Sequence, residues 1–197
     1  MKKNLFLHIR YLLLICISLI AVTSFTDANR KPEITTSLGG LPISCSIYSD
    51  QASLAGIHTD DPLNRVISTL GNPLRIVTHD ESYMTYFYRG LEIGLKKWGP
   101  DVPYTVVDMV ASYGDKMYTL DGICIGMSEK SLQDVYGMAD VVCVEKTYSP
   151  KLSKQQNEQI QKRINRKTYT YHAHTLLSMM FSVNNGTISE IRIHRAD

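Results

Sequence analysis

The chain has 197 residues, of which 21 are basic and 19 are acidic. Residues 1–28 have the pattern of an export signal; without them three basic residues and one acidic residue are lost, and 18 of each kind remain. Proteins that bind nucleic acid usually carry an excess of Lys and Arg on one face, so this even balance argues against nucleic acid as a partner. The roughly 170 remaining residues suit one ordinary domain or two small ones.

The N-terminal segment is basic at its start, with Lys2, Lys3 and Arg10, and then apolar over residues 11–22. Small and polar residues follow at once, which is the order of a secretory signal peptide. The apolar run is shorter than the about 20 residues of a membrane-spanning helix, although an uncleaved segment would anchor the protein in a membrane. We therefore expect an exported protein, secreted or periplasmic in the cell envelope, whose mature chain begins between residues 22 and 32.

Residues 29–55 read as an irregular lead-in. After it, a helix is predicted over residues 62–70, with Asp61 as N-cap, Pro62 as first helical residue and Gly71 at the end. Short β-prone segments separated by turn residues then predict four strands, over residues 74–78, 83–88, 91–97 and 104–112.

A second helix is predicted between its N-cap Ser128 and Gly137, followed by a strand that starts at residue 141. Residues 150–167 then form an insertion that holds six basic residues against Glu158. The thin apolar stripe of this insertion predicts an exposed helix. Three further strands follow, over residues 168–172, 176–183 and 187–194, the last two joined by the turn Asn185-Gly186.

The same order thus occurs twice, and the pattern Gly56-Ile57…Leu70-Gly71 returns 66 residues later as Gly122-Ile123…Tyr136-Gly137. We predict an α+β protein of two tandem modules, residues 56–115 and 116–197. In each module a short helix or helix pair packs on one face of an antiparallel sheet of about four strands. The alternative is an unrepeated α+β domain in which the two Gly-Ile pairs coincide by chance.

The segment Gly126-Met127-Ser128…Leu132…Tyr136-Gly137, with a weaker earlier counterpart ending Leu70-Gly71-Asn72-Pro73, resembles the helix-and-turn signature of the SmpA/OmlA (BamE-type) outer-membrane assembly lipoproteins. The β-lactamase inhibitory proteins share that module and use it in tandem. The resemblance covers residues 56–197 and implies helices on one sheet face and another protein against the other face. The chain departs from the lipoprotein pattern because no lipid-attachment cysteine stands at the expected place, and it carries the basic insertion.

Cys124 and Cys143 bracket the second predicted helix, an arrangement that suits a disulfide. Tandem inhibitor modules of the resembled family carry a bridge in a similar place. The alternative is a pair of small buried thiols, because both cysteines have hydrophobic flanks. Cys45 is expected to be free.

No catalytic motif occurs, so we expect neither an enzyme nor a cofactor. One alternative is a metal site: His172 and His174 are alternate strand residues that share a face, and a third ligand would have to come from His79 or His194. Another is a thiol enzyme in which Cys45 acts with a histidine base.

Aromatic side chains are the candidates for partner binding, because they carry a large share of interface energy. Trp98 lies in a predicted loop, whereas Tyr86, Tyr88, Tyr169 and Tyr171 form two pairs on predicted strands. If the tyrosines face the core, they are packing residues instead.

The basic insertion gives a second candidate surface, made of Lys162, Arg163, Arg166 and Lys167. Exposed basic side chains on a helix suit an anionic envelope surface or an acidic partner. Taken together, these features predict an exported, non-catalytic protein-binding module, inhibitor-like or assembly-factor-like. The alternatives are a metal-dependent or thiol enzyme of the envelope and a structural envelope component.

Overall fold

A computed structural model describes residues 35–36, 42–43, 46–114, 117–145, 150–163, 165–174 and 176–195. The predicted signal segment and Cys45 lie outside the described residues, as do the side chains of Lys162, Arg163 and His174. Within the described ranges, no helix has the length and apolar character needed to cross a bilayer.

The described chain begins with small elements. Strand β1 (Thr35–Thr36) pairs with β2 (Pro42–Ile43), and β3 (Ser53–Leu54) pairs with β4 (Ile57–His58). Helix α1 (Leu63–Leu70) then leads into four strands: β5 (Arg75–Thr78), β6 (Tyr83–Tyr88), β7 (Leu91–Lys96) and β8 (Thr105–Ala111).

Two more helices follow. Helix α2 (Glu129–Tyr136) precedes β9 (Val141–Val144), and helix α3 (Lys154–Arg163) precedes the last three strands, which are β10 (Arg166–His174), β11 (Leu177–Asn184) and β12 (Thr187–Arg195). The insertion is therefore helical only in part, because β10 already begins at Arg166.

Strands β5 to β12 form one antiparallel sheet of eight strands in the order β5-β6-β7-β8-β12-β11-β10-β9. Strands β8 and β12 meet at its centre, where Met109 lies opposite Ile193 and Ala111 opposite Ile191. The predicted fold, two tandem modules each with its own sheet of about four strands, is therefore wrong. Separate sheets would leave β8 and β12 as edges with unpaired N–H and C=O groups, and pairing the two strands satisfies both edges.

The core covers one face of this sheet. A row of buried residues crosses it from strand to strand, each opposite the next: Ile93, Met109, Ile193, Met179 and Tyr171. Val66 of α1 and Leu132 of α2 belong to the same buried cluster. The ring of Tyr136, also from α2, lies 5.4 Å from that of Tyr171 and 5.6 Å from that of Phe181.

The helix ends follow local chemistry. Ser128 caps α2 as predicted, because its Oγ accepts the N–H of Ser131 at 3.0 Å. Gly137 ends that helix at a φ of 72°, where a side chain would be strained. Helix α1 begins one residue later than predicted: Pro62 is extended, and the carboxylate of Asp61 accepts the N–H of His58 at 2.8 Å instead of capping the helix.

Candidate functional site

Trp98 lies in the connection between β7 and β8 and is 49% exposed. The two strands pair as far as Lys96 and Thr105, and the turn that contains Gly99 closes with the N–H of Val102 donating to the Gly99 carbonyl at 3.3 Å. Val102 is itself 43% exposed. This connection therefore holds a large aromatic ring and a branched apolar side chain at the surface.

Two lysines flank the aromatic rings of this connection. The Nζ of Lys96 lies 4.3 Å from the centre of the Trp98 ring, and the Nζ of Lys97 lies 5.6 Å from that of Tyr104. Both distances are within the range of a cation–π contact. We call the set Lys96, Lys97, Trp98, Val102 and Tyr104 the hairpin surface.

The backbone under the hairpin surface is held from the β5–β6 connection. The N–H of Lys97 donates to the carbonyl of Ser82 at 2.9 Å, and the hydroxyl of Tyr104 donates to the carbonyl of Glu81 at 2.8 Å. The Tyr104 ring and the backbone next to Trp98 are thus held by hydrogen bonds to a neighbouring loop, which reduces the conformational entropy lost when a partner binds.

The structure corrects the prediction that the paired tyrosines anchor a partner protein. Tyr171 is fully buried, Tyr169 is 5% exposed and Tyr86 is 8% exposed. They share the core face because Tyr86 lies opposite Ile93 and Tyr171 opposite Met179. The alternative, that these tyrosines are packing residues of the core, is therefore correct for Tyr86, Tyr169 and Tyr171. Tyr88 is half-buried, and its hydroxyl donates to the carbonyl of Gly71 at 3.2 Å.

The structure also corrects the prediction that the basic residues of the insertion form one surface on a helix. Arg166 and Lys167 lie on β10, where Arg166 is paired with Glu145 at 3.2 Å and Lys167 with Glu129 at 2.7 Å. The hydroxyl of Tyr169 donates to the same Glu129 carboxylate. These two basic side chains are therefore bound to carboxylates of their own chain, and they do not form one patch on a helix.

The bond from Lys167 is the main cause that lowers the pKa of Glu129, and the bond from Tyr169 adds to it. Glu129 is also the first residue of α2, where a negative charge is favoured by the helix dipole. The trio of Glu129, Lys167 and Tyr169 thus fixes α2 to β10, which is a structural role.

Cys124 and Cys143 carry free thiols, so the predicted disulfide is absent from this structure. Cys143 lies opposite Thr168, on the sheet face away from Tyr169. Cys124 lies next to the buried Ile123, which belongs to the core on the other face. The alternative of two small buried thiols is not found either, because Cys143 is exposed.

The histidine pair does not assemble into a site. The register of β10 and β11 shifts between His172 and His174, so the regular alternation on which the metal hypothesis rests is interrupted there. His79 follows β5, near the edge of the sheet opposite to the one where β10 lies, and its Nε2 is 3.0 Å from Oγ1 of Thr85. Among the side chains that the structure describes, no three of His, Cys, Asp and Glu lie close enough to hold a metal ion.

One polar pair was missed by the sequence analysis. Tyr83 of β6 and Asp108 of β8 are hydrogen bonded on the sheet face opposite the core, and Gly94 of β7 lies between them. Burial, and then the bond to Asp108, raise the pKa of Tyr83 to about 12. The available signal was a glycine inside a β-prone run, which often marks a close approach by another group.

A shallow cavity of about 160 Å³ is lined by Leu152, Gln156, Gln159 and Ile160 of the α3 region. Small-molecule sites usually measure about 300–1,000 Å³. This cavity is therefore too small to argue for a small-molecule ligand.

No protein-family model matches the chain, and no curated protein matches it. Two solved structures are similar in part. A DUF4309 family protein of Bacillus subtilis shows 15% identity and a TM-score of 0.38 over 71% of this chain and 82% of its own. An extracellular protein of Bacillus anthracis that contains an SCP domain shows 10% identity and a TM-score of 0.39 over 82% of this chain and 50% of its own. Neither description names the SmpA/OmlA or β-lactamase inhibitory proteins, so that resemblance stays a prediction.

Proposed function

We propose that this protein is an exported, non-catalytic binding module that recognises another protein through the hairpin surface. The observation that supports the proposal most directly is the half-exposed ring of Trp98 with the Lys96 ammonium over it. Trp is among the residues most enriched at the energetic centres of interfaces. Three of the four tyrosines are buried and Tyr88 is half-buried, so Trp98 is the most exposed of the five aromatic residues that the sequence put forward.

The chemistry of the hairpin surface favours a partner that has carboxylates next to an apolar pocket. The rings of Trp98 and Tyr104 supply apolar area, and the two lysines supply positive charge at its rim. Rim charges mainly speed association and decide which partner is accepted, while a buried aromatic ring supplies affinity. Removing the ring should therefore mainly lower the affinity, whereas removing the charges should mainly slow association.

The test is a pull-down from the native envelope with the mature chain as bait, followed by affinity measurement with the captured protein. Trp98→Ala should weaken binding by about 2 kcal/mol or more, with only a small change in the melting temperature. Tyr118→Ala is a matched control, because Tyr118 is also a surface aromatic, 47% exposed, in a different loop. Equal affinity of the Trp98→Ala and Tyr118→Ala variants would remove the hairpin surface from consideration.

Export is tested separately by sequencing the N-terminus of the protein from its native host. The expected mature chain begins between residues 22 and 32. Retention of residues 1–22 would mean a membrane-anchored protein and would leave the binding proposal untouched.

A further inference from the structure

Strand β9 is an apolar edge of the eight-stranded sheet. It consists of Val141, Val142, Cys143 and Val144, all exposed, with the three valines at 45%, 47% and 51%. No strand within the described ranges pairs with its outer side. An exposed apolar edge strand is a template for pairing with another strand.

The opposite edge of the sheet, strand β5, differs because it carries a charged side chain. Strand β5 carries Arg75, whose guanidinium lies 4.0 Å from the centre of the Phe87 ring. A charged side chain on an edge discourages pairing. Strand β9 has no charge between Asp140 and Glu145, and Glu145 is neutralised by Arg166 at 3.2 Å. Two copies can therefore approach along β9 without like-charge repulsion.

Alternate residues of β9 direct their backbone N–H and C=O groups away from the sheet. The N–H of Glu145 donates to the carbonyl of Arg166 on β10 at 2.9 Å. Because backbone groups in an antiparallel ladder alternate in direction, Cys143 also directs its N–H and C=O groups toward β10. The N–H and C=O groups of Val142 and Val144 point outward, away from the sheet.

We propose that two copies of this chain pair antiparallel through β9, with Val142 of one copy opposite Val144 of the other. This register uses both outward-facing residues of the strand, and it places Cys143 opposite its own counterpart on the two-fold axis. Other registers would need residues beyond the strand; on one side that residue is Asp140, whose N–H already donates to the carbonyl of Thr170. An interface made of the same patch on both copies is the usual form of a symmetric dimer.

The proposed register makes Cys143 a built-in probe. Cys143 and its counterpart form a non-hydrogen-bonded pair, with Cα atoms about 4.5 Å apart. This separation lies within the range of about 4.4–6.8 Å that a disulfide spans. The free, exposed thiol of Cys143 can then be cross-linked across the axis. The inference does not depend on the proposed function, because the hairpin surface takes no part in it.

The experiment uses the full chain with Cys16, Cys45 and Cys124 changed to Ser, and oxidised glutathione as the oxidant. Two Cys143 thiols and one oxidised glutathione give one intermolecular disulfide and two molecules of reduced glutathione, by thiol–disulfide exchange. Non-reducing electrophoresis measures the dimer, and Cys143→Ser gives the background.

Register is tested with charge pairs. A Val142→Lys, Val144→Lys variant and a Val142→Glu, Val144→Glu variant should each dimerise several-fold more slowly than the parent, because like charges then face each other. Mixing the two, with one carrying a tag of different mass, should give mainly the mixed dimer. A statistical mixture of mixed and self dimers would overturn the proposal, since Cys143 would then be reacting as an ordinary surface thiol.

The backbone is tested with Val142→Pro, which removes an outward N–H that β10 does not use. It should lower the dimer yield several-fold, with Val142→Thr as the matched control. Dimerisation of the proline variant at the parent rate would contradict pairing through β9. If Cys143 of the Val142→Pro variant, which cannot pair through β9, reacts slowly with a small reagent such as iodoacetamide, another segment of the same chain covers the edge, and the proposal is equally overturned.

Discussion

The hydroxyl of Tyr83 donates to Oδ2 of Asp108 at 2.8 Å across the strand that separates them. The bond is possible because the intervening residue of β7 is Gly94. A Cβ at this position would come within 3.0 Å of both the Asp108 carboxylate and the Tyr83 hydroxyl. A glycine inside a strand, which on its own weakens the strand, is here the condition for a cross-sheet hydrogen bond.

We therefore expect Gly94→Ala to lower the free energy of unfolding by about 1–3 kcal/mol, the usual cost of overpacking. Gly99→Ala is the control, because a Cβ there would meet only a Val102 methyl at 3.4 Å. Chemical denaturation of both variants measures the difference. Adding Tyr83→Phe to Gly94→Ala should recover part of the loss, and a loss in the control as large as that in Gly94→Ala would contradict this explanation.

The same pair predicts how stability changes at high pH. The pKa of Tyr83 is about 12 in the folded protein and near 10 in the unfolded chain. Deprotonation then favours the unfolded state, so the contribution of Tyr83 is complete below pH 10 and is lost as the pH rises through 12. Asp108→Asn removes the charged acceptor and should lower this pKa, although burial keeps it above 10. Ring NMR signals of Tyr83 during a pH titration measure both values, and an unchanged pKa in Asp108→Asn would contradict the assigned role.

Glu129 links α2 to β10 through Lys167 and Tyr169, so Glu129→Gln should cost about 1.5–3 kcal/mol, as expected for hydrogen bonds to a charged group. The pKa of Glu129 is lowered in the folded state; its contribution is therefore present at neutral pH and is lost as the pH falls below about 4.5. The exposed pair Lys130 and Asp134, 2.6 Å apart on the same helix, is the control. Lys130→Gln should change stability by less than about 1 kcal/mol. Equal effects of the two substitutions in urea denaturation would refute the structural role of Glu129.

Substitutions of Tyr171 and Trp98 distinguish a residue that packs in the core from one that binds a partner. Tyr171 is fully buried between Tyr136 and Phe181, so Tyr171→Ala should lower the free energy of unfolding by about 3–5 kcal/mol. Trp98→Ala should change it by less than about 1 kcal/mol, because its ring is half in solvent. Thermal melting compares them, and a large loss of stability in Trp98→Ala would show that this residue belongs to the fold.

The positions of the individual elements could be predicted from the sequence. The helix end at Gly137, the cap at Ser128 and the hairpin at Asn185-Gly186 depend on local chemistry, and each lies where it was predicted. The strands over residues 83–88 and 187–194 are confirmed to within one residue.

What the sequence did not show is how the strands combine. The pairing of Met109 with Ile193 joins distant segments, and no local pattern encodes it. The same reason explains the tyrosines: a strand pattern puts Tyr169 and Tyr171 on one face but does not say which face α2 covers. Arg166 and Lys167 were assigned to the insertion because composition alone cannot tell where a helix gives way to a strand.

The central β8–β12 pairing also determines how the chain must fold. Strands β5 to β8 are joined by short connections and can form early, whereas Met109 and Ile193 are separated by about 80 residues. Such distant contacts carry a large loop-closure cost and slow folding. Until β12 is in place, β8 exposes an unpaired and mostly apolar edge to other newly made chains. The rate at which β12 docks therefore sets the time during which the edge of β8 is open to aggregation.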